Sequence, residues 1–140
     1  MRIATCNVNG IRAAARKGMG EWLATAAPDV LLLQEVRAPE EIAEALIGPG
    51  YQVFTRPCDI KGRAGVSVAV RDGIAVSAVR DGVAKEAVAE PPVDTGRWLE
   101  VDLPGLTVIS AYLHSGDAKS EEKMAAKYAL SDLTLLIYGP

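Results

Sequence analysis

The chain has 140 residues, 49% of them hydrophobic and 24% charged, with a formal net charge of −3. This composition excludes a disordered chain and fits one globular domain, or part of one, with a real core. The mild acidity excludes a general attraction to nucleic acid or anionic membrane, so any phosphate-binding surface has to be a local basic patch.

From the N-terminus, "RIATCNV" reads as a short apolar strand ended by Asn9-Gly10. After a short turn, "IRAAAR", Met19, Trp22, Leu23 and Ala26 recur at i, i+3, i+4 and i+7, an amphipathic helix closed by Pro28. Four aliphatic residues, Val30 to Leu33, open a second strand buried on both faces that runs straight into Gln34 and Glu35. "PEEIAEALI" reads as a helix with Pro39 at its first position and Glu40 and Glu41 at the positive end of its dipole. This β-α-β-α opening predicts neighbouring parallel strands.

The middle of the chain changes character. "YQVFTR", "GVSVAVR", "IAVSAVR", "RWLEVDL" and "LTVISAY" are short, β-branched and often alternating, separated by Asp72-Gly73, Asp81-Gly82 and Pro104-Gly105 turn signals. They read as an antiparallel run, with residues 84–96 as a surface loop inside it. "SEEKMAAKYALSDL" reads as a final helix capped by Ser120, and "TLLIYGP" follows it. No long apolar run of membrane-spanning length occurs, and the N-terminus carries no secretory pattern, so the expectation is a cytoplasmic protein without membrane contact.

Cys6 and Cys58 belong to no CxxC pair and are expected to be buried free thiols. His114 is the only histidine, which rules out a histidine-rich metal centre and leaves oxygen ligands, hence Mg²⁺, Mn²⁺ or Ca²⁺, for any metal. Asn7 and Asn9 end the first strand, Glu35 ends the second and Tyr112 ends a later one. If the first two strands are parallel neighbours, their ends share the crevice in which open α/β sheets bind ligands. A carboxylate, carboxamides and a phenol in one crevice can hold a hard cation and orient an oxyanion beside it. Equally, Glu35 can be a carboxylate paired with Arg37 or with a helix end, and spacing alone leaves both open.

Five blocks, "IATCNVNGIR", "DVLLLQEVR", "KGRAGVSVAVR", "GRWLEVDL" and "LTVISAYLHSG", occur in an order and at separations that resemble the exonuclease III / apurinic endonuclease family of the endonuclease/exonuclease/phosphatase superfamily. The resemblance covers residues 1 to roughly 128. It implies the α/β fold of that superfamily: part of a four-layer, DNase I-like sandwich, two mixed β-sheets packed face to face and flanked by helices. It also implies a Mg²⁺- or Mn²⁺-dependent DNA phosphodiesterase of base-excision repair, acting on double-stranded DNA at abasic sites or 3′ ends. Under it, Asn7 matches the asparagine of the catalytic network, Glu35 the metal-binding glutamate and Tyr112 the tyrosine that contacts the scissile phosphate. Arg12, Arg37, Lys61 and Arg63 fall where the family places DNA-facing basic residues.

The family's later blocks, which supply a water-activating aspartate and a phosphate-side histidine, have no counterpart here. Residues 1–140 therefore read as a single incomplete domain lacking its C-terminal catalytic half, and as weakly active or inactive alone. The expectation that follows is a second sheet, made of "GVSVAVR", "IAVSAVR", "RWLEVDL" and "LTVISAY", whose inner face is partly bare and drives self-association or pairing with a complementing C-terminal half. Another phosphoesterase of the superfamily, acting on phosphoinositide or sphingomyelin, and a non-catalytic assembly module are the alternatives.

Overall fold

The structure is a computed structural model, described for residues 1–81, 95–113 and 119–125. These fall into two compact units, residues 1–81 with 95–112, and a second containing 113 and 119–125. In the second unit residues 121–125 are helical, and Ser120 caps them, its hydroxyl accepting the Lys123 N–H at 3.3 Å. The rest of the expected final helix, His114 and most of the 84–96 loop lie outside the described residues.

The first unit contains strand β1 (Ile3–Asn7), helices α1 (Ile11–Arg16) and α2 (Met19–Ala26), strand β2 (Val30–Gln34), helix α3 (Glu40–Ile47), and strands β3 (Tyr51–Arg56), β4 (Val66–Arg71), β5 (Ala78–Asp81), β6 (Trp98–Leu103) and β7 (Leu106–Ala111). One sheet has the order β1-β2-β4-β3 and a second the order β5-β6-β7. β1 and β2 are parallel, Ile3 opposite Val30 and Asn7 opposite Gln34, as the opening predicted, and the other strand pairings among β1–β7 are antiparallel.

Three layers follow from the alternation of side chains along the first sheet. On its outer face Leu31, Leu33 and Ala69 pack with Ile11, Leu23, Ala43 and Ile47 from the three helices. On its inner face Val30, Val66, Val68 and Val70 meet Leu99, Val101, Leu103 and Val108 of the second sheet. Together these give the two-sheet α/β architecture of the DNase I-like sandwich.

The middle strands depart from the expected arrangement. "GVSVAVR" does not join the others: β4 lies in the first sheet between β2 and β3, and Asp72-Gly73 turns the chain from one sheet to the other. Ile74 and Val76, expected in a strand, pack into the inter-sheet core ahead of β5. The inner face expected to be bare is therefore closed over β2 and β4 by the second sheet. Pro104-Gly105 does make the predicted two-residue hairpin, with Leu103 opposite Leu106 and Gly105 taking the positive φ of 71° that such a turn requires. "IRAAAR" is a full helix rather than a turn, and Pro39 stands one residue before α3 as its cap.

β1 is the outer strand of its sheet among the described residues, and it is poorly covered. Four of its five residues are exposed, and Ile3 and Trp22 of α2 are each 45% exposed. Cys6 is exposed for this reason and Cys58 is half-buried, correcting the expectation that both thiols are buried.

Candidate functional site: a strand-end carboxylate and a basic pocket

The ends of β1 and β2 are bound together beyond the last ladder pair. Val8 donates to the Gln34 carbonyl at 3.0 Å, Gly10 to that of Glu35 at 2.8 Å and Ile11 to that of Val36 at 3.0 Å. On the other flank Val36 donates to Gly65 and Arg37 to Ala64, both at 2.9 Å. Ile11 and Val36, fully buried, anchor this junction in the core. The tight hydrogen bonding holds four non-glycine residues at positive φ: Asn9 (45°), Glu35 (51°), Arg37 (54°) and Ala64 (38°). Left-handed backbone costs about 1–2 kcal/mol per such residue and persists only where neighbours over-determine it. Clustering of this kind accompanies functional sites, and no glycine or turn motif in the sequence signals it at Glu35 or Arg37.

Glu35 therefore projects from the strand end into a set of polar partners. Asn7 Nδ2 donates to Glu35 Oε1 at 2.9 Å, and Asn7 Oδ1 accepts the Asn9 N–H at 3.1 Å, which fixes the amide. Arg37 Nη2 donates to Glu35 Oε2 at 2.5 Å. Tyr112, following β7, directs its hydroxyl at the same carboxylate. The Asn7 hydrogen bond, with those of Tyr112 and Arg37, outweighs burial and holds the Glu35 carboxyl below its ordinary range, so it stays ionised. Burial, then the Glu35 charge, pushes the Tyr112 phenol up and keeps it a proton donor.

The two sheets are locked in register just behind this cluster. Ser110 is fully buried; its hydroxyl accepts from Gln34 Nε2 at 3.1 Å and donates to the Leu33 carbonyl at 2.9 Å. Gln34 Nε2 also donates to Thr5 Oγ1 at 3.1 Å. Two residues on from Ser110 along the same face comes Tyr112, so this bridge between β2 and β7 is what brings phenol to carboxylate. Its sequence signal was a serine inside an apolar strand, which sequence reasoning passed over.

The four basic residues come together as well. Arg12, Arg37, Lys61 and Arg63 line one pocket of about 420 Å³, with Ala38, Pro39, Pro57, Cys58, Asp59 and Gly62 completing its wall. All four cations are exposed. Arg37 belongs to both sets, one guanidinium facing the pocket and the Glu35 carboxylate, so pocket and carboxylate adjoin. Every proposed site residue thus falls in one contiguous region, built by the 7–12, 35–39, 57–65 and 97–112 stretches.

The sequence pattern of the Endonuclease/Exonuclease/phosphatase family matches residues 4–130. The chain belongs to this family. Solved structures share the fold. The AP endonuclease of Archaeoglobus fulgidus is 27% identical with a TM-score of 0.71, over 98% of this chain and 52% of its own. The APE2 catalytic domain of Xenopus laevis is 22% identical with a TM-score of 0.75, over 95% and 51%. The 3′-5′ exonuclease NExo of Neisseria meningitidis is 23% identical with a TM-score of 0.70, over 96% and 51%. This family member therefore spans about half the length of the solved relatives it matches.

A hard divalent cation fits the donor chemistry in one limited way. Glu35 offers an ionised carboxylate, while Asn7 turns its amide nitrogen to it and its oxygen to the Asn9 N–H; Mg²⁺ commonly takes one or two carboxylates, keeping water and substrate phosphate for the rest. No group of three or more His, Cys, Asp and Glu suited to a metal occurs among the described residues, so a cation held at Glu35 would draw most of its ligands from elsewhere. Arg37 already donates to Oε2, so a cation held by Glu35 would have to share or replace that contact. The chemistry that such a group would supply here is polarisation of a phosphoryl oxygen. The chain's own residues hold the Glu35 carboxylate ionised, chiefly through Asn7, keep the Tyr112 phenol protonated, and gather four cations around the adjoining pocket.

Proposed function

We propose that this family member is a Mg²⁺- or Mn²⁺-dependent DNA phosphodiesterase of exonuclease III / apurinic endonuclease type, a base-excision repair activity on double-stranded DNA at abasic sites or 3′ ends. What carries the reading is the junction of an ionised Glu35, clasped by Asn7 and facing Tyr112, with a pocket containing Arg12, Arg37, Lys61 and Arg63. Clustered cations beside one phosphate-facing site suit a polyanionic backbone better than a single lipid headgroup. One relative, the 3′ phosphatase NExo, is solved with product DNA hairpin, in keeping with that substrate class.

Since the chain spans about half of its relatives, the 140 residues supply the carboxylate and phosphate-facing groups while a complementing C-terminal half supplies the group that activates water. Lost catalytic groups cost factors on the order of 10² or more each, so the chain alone turns over weakly or not at all. A strand and an apolar side chain from that half would cover the open edge of β1, where Ile3 and Trp22 are half-exposed; without it the same edge favours self-association. No helix among the described residues is long and apolar enough to cross a membrane, and the proposed location is the cytoplasm.

Fluorescence anisotropy with a duplex containing a stable abasic analogue, with and without Mg²⁺, tests the reading against a soluble phosphoinositide headgroup as competitor. Duplex binding that Mg²⁺ strengthens and the headgroup does not displace is expected. Preference for the headgroup would move the protein to another phosphoester class, and binding of neither would leave an assembly module.

A further inference from the structure

Residues 95–97, Thr-Gly-Arg, lie at the end of what reads as an unstructured loop, yet they are buried and touch both parts of the site. On one side they fasten the basic loop of residues 57–65. Thr95 Oγ1 accepts the Asp59 N–H at 2.8 Å and the Gly96 carbonyl accepts the Gly65 N–H at 2.9 Å, so the loop is held near both its ends. Between these bonds Gly96 lies flat against the loop: a Cβ there would stand 2.6 Å from the Cys58 nitrogen and 2.7 Å from the Pro57 carbonyl carbon, and its φ is 75°. Both facts require glycine.

On the other side the same segment grips Tyr112. The Arg97 carbonyl accepts the Tyr112 N–H at 2.8 Å, Arg97 Nη1 donates to the Tyr112 carbonyl at 3.2 Å, and the guanidinium lies over the phenol ring, 4.9 Å from its centre. A cation over an aromatic face, with the backbone bonded on both sides, leaves that ring little freedom to turn from Glu35.

We propose that residues 95–97 are a positioning segment that sets the basic loop and Tyr112 in fixed register, Gly96 seating the loop and Arg97 orienting the phenol. The proposal rests on reading Lys61, Arg63 and Tyr112 as DNA-facing groups. Its consequence is that a displacement at Gly96 is felt at both: the cations that seat flanking phosphates and the hydroxyl aimed at the reacting one shift together, and affinity falls although no charged residue is lost.

The full chain is labelled with ¹⁵N and with ¹³C in the tyrosine rings, the Tyr112 signal being identified by its disappearance in Tyr112→Phe. Gly96→Ala is expected to move the amide signals of Lys61, Gly62 and Arg63 and the Tyr112 ring signal together, and to weaken binding to the abasic-analogue duplex on the order of tenfold or more. Arg97→Leu is expected to move the Tyr112 ring signal, and Arg97→Lys, which keeps the cation, to restore part of the shift. Thr95→Val, which removes one loop bond without a clash, gives the same paired response in smaller measure and serves if Gly96→Ala does not fold. Loop signals that move without the Tyr112 ring, or an Arg97→Leu ring signal identical to the parent's, overturn the proposal. A parent chain that binds no duplex refutes the DNA reading instead, and the paired signals still decide the coupling.

Discussion

Replacing Glu35 by glycine and by alanine separates what its side chain contributes from what its backbone costs. Both variants lose the same contacts. The Arg37 ion pair is 43% exposed on one partner and 15% on the other, and after solvent screening contributes about 0.5 kcal/mol. The Asn7 hydrogen bond to an ionised carboxylate contributes about 1 kcal/mol more. Only glycine relieves the left-handed φ of 51°, worth about 1 kcal/mol. Glu35→Ala is therefore expected to destabilise the fold by about 1.5 kcal/mol, and Glu35→Gly by about 0.5 kcal/mol. Urea denaturation with a common slope reads the difference as a higher midpoint for glycine. An alanine variant as stable as the glycine variant would show that the backbone is not held at positive φ in solution, and the strain argument for the site would fall. Loss of more than about 3 kcal/mol in both would instead make Glu35 a buried structural charge.

Ser110→Ala leaves the Leu33 carbonyl without its buried hydroxyl and Gln34 short of a partner; a loss of about 1–3 kcal/mol is expected in the same urea assay, with weaker Tyr112–Glu35 contact seen as a shift of the Tyr112 ring signal. Asp102 takes two hydrogen bonds from Arg80, at 2.6 and 2.7 Å, and one from Thr107, and Arg80 first of all holds its carboxyl down to about 2. Because the folded value lies below the ordinary 3.8, its stabilisation is present in full above that pH and is lost as pH falls toward 2; Asp102→Asn should flatten that part of a pH-dependent thermal melt, and an unchanged slope would remove Asp102 as its source. Duplex binding should weaken steeply with salt, and Lys61→Ala or Arg63→Ala should each reduce the log–log slope by about 1. A slope untouched by either would take the pocket out of the DNA interface.

Strand ends were legible because their sequence logic is local. Four aliphatic residues followed by Gln34 and Glu35 mark a buried strand with a charge at its carboxyl end, and β1 and β2 pair as that pattern requires. The allocation of the middle strands was not legible: β4 and the segment before β5 have the same alternation, and an Asp-Gly turn serves a hairpin and a crossing between sheets equally well. Only the burial of all five residues from Val66 to Val70 distinguishes a central strand covered on both faces, and Ser67 and Ala69 disguise it. The candidate site residues were singled out through the family pattern, but their geometry was not legible in it. Positive φ at Glu35 and Arg37 leaves no mark on residue identity, and Ser110 and residues 95–97 act through partners 76 and 36 positions away in the chain. Such long-range contacts carry no local periodicity.

The claim on which the rest depends is that the Glu35 carboxylate holds a divalent cation at the edge of the basic pocket. Titrating the ¹⁵N-labelled chain with Mn²⁺ tests it directly, because paramagnetic broadening reports distance from the ion. Broadening centred on Asn7, Glu35 and Tyr112, with affinity on the order of millimolar and lost in Glu35→Gln, is the predicted result. Broadening equal in parent and Glu35→Gln, or centred elsewhere on the surface, would contradict it.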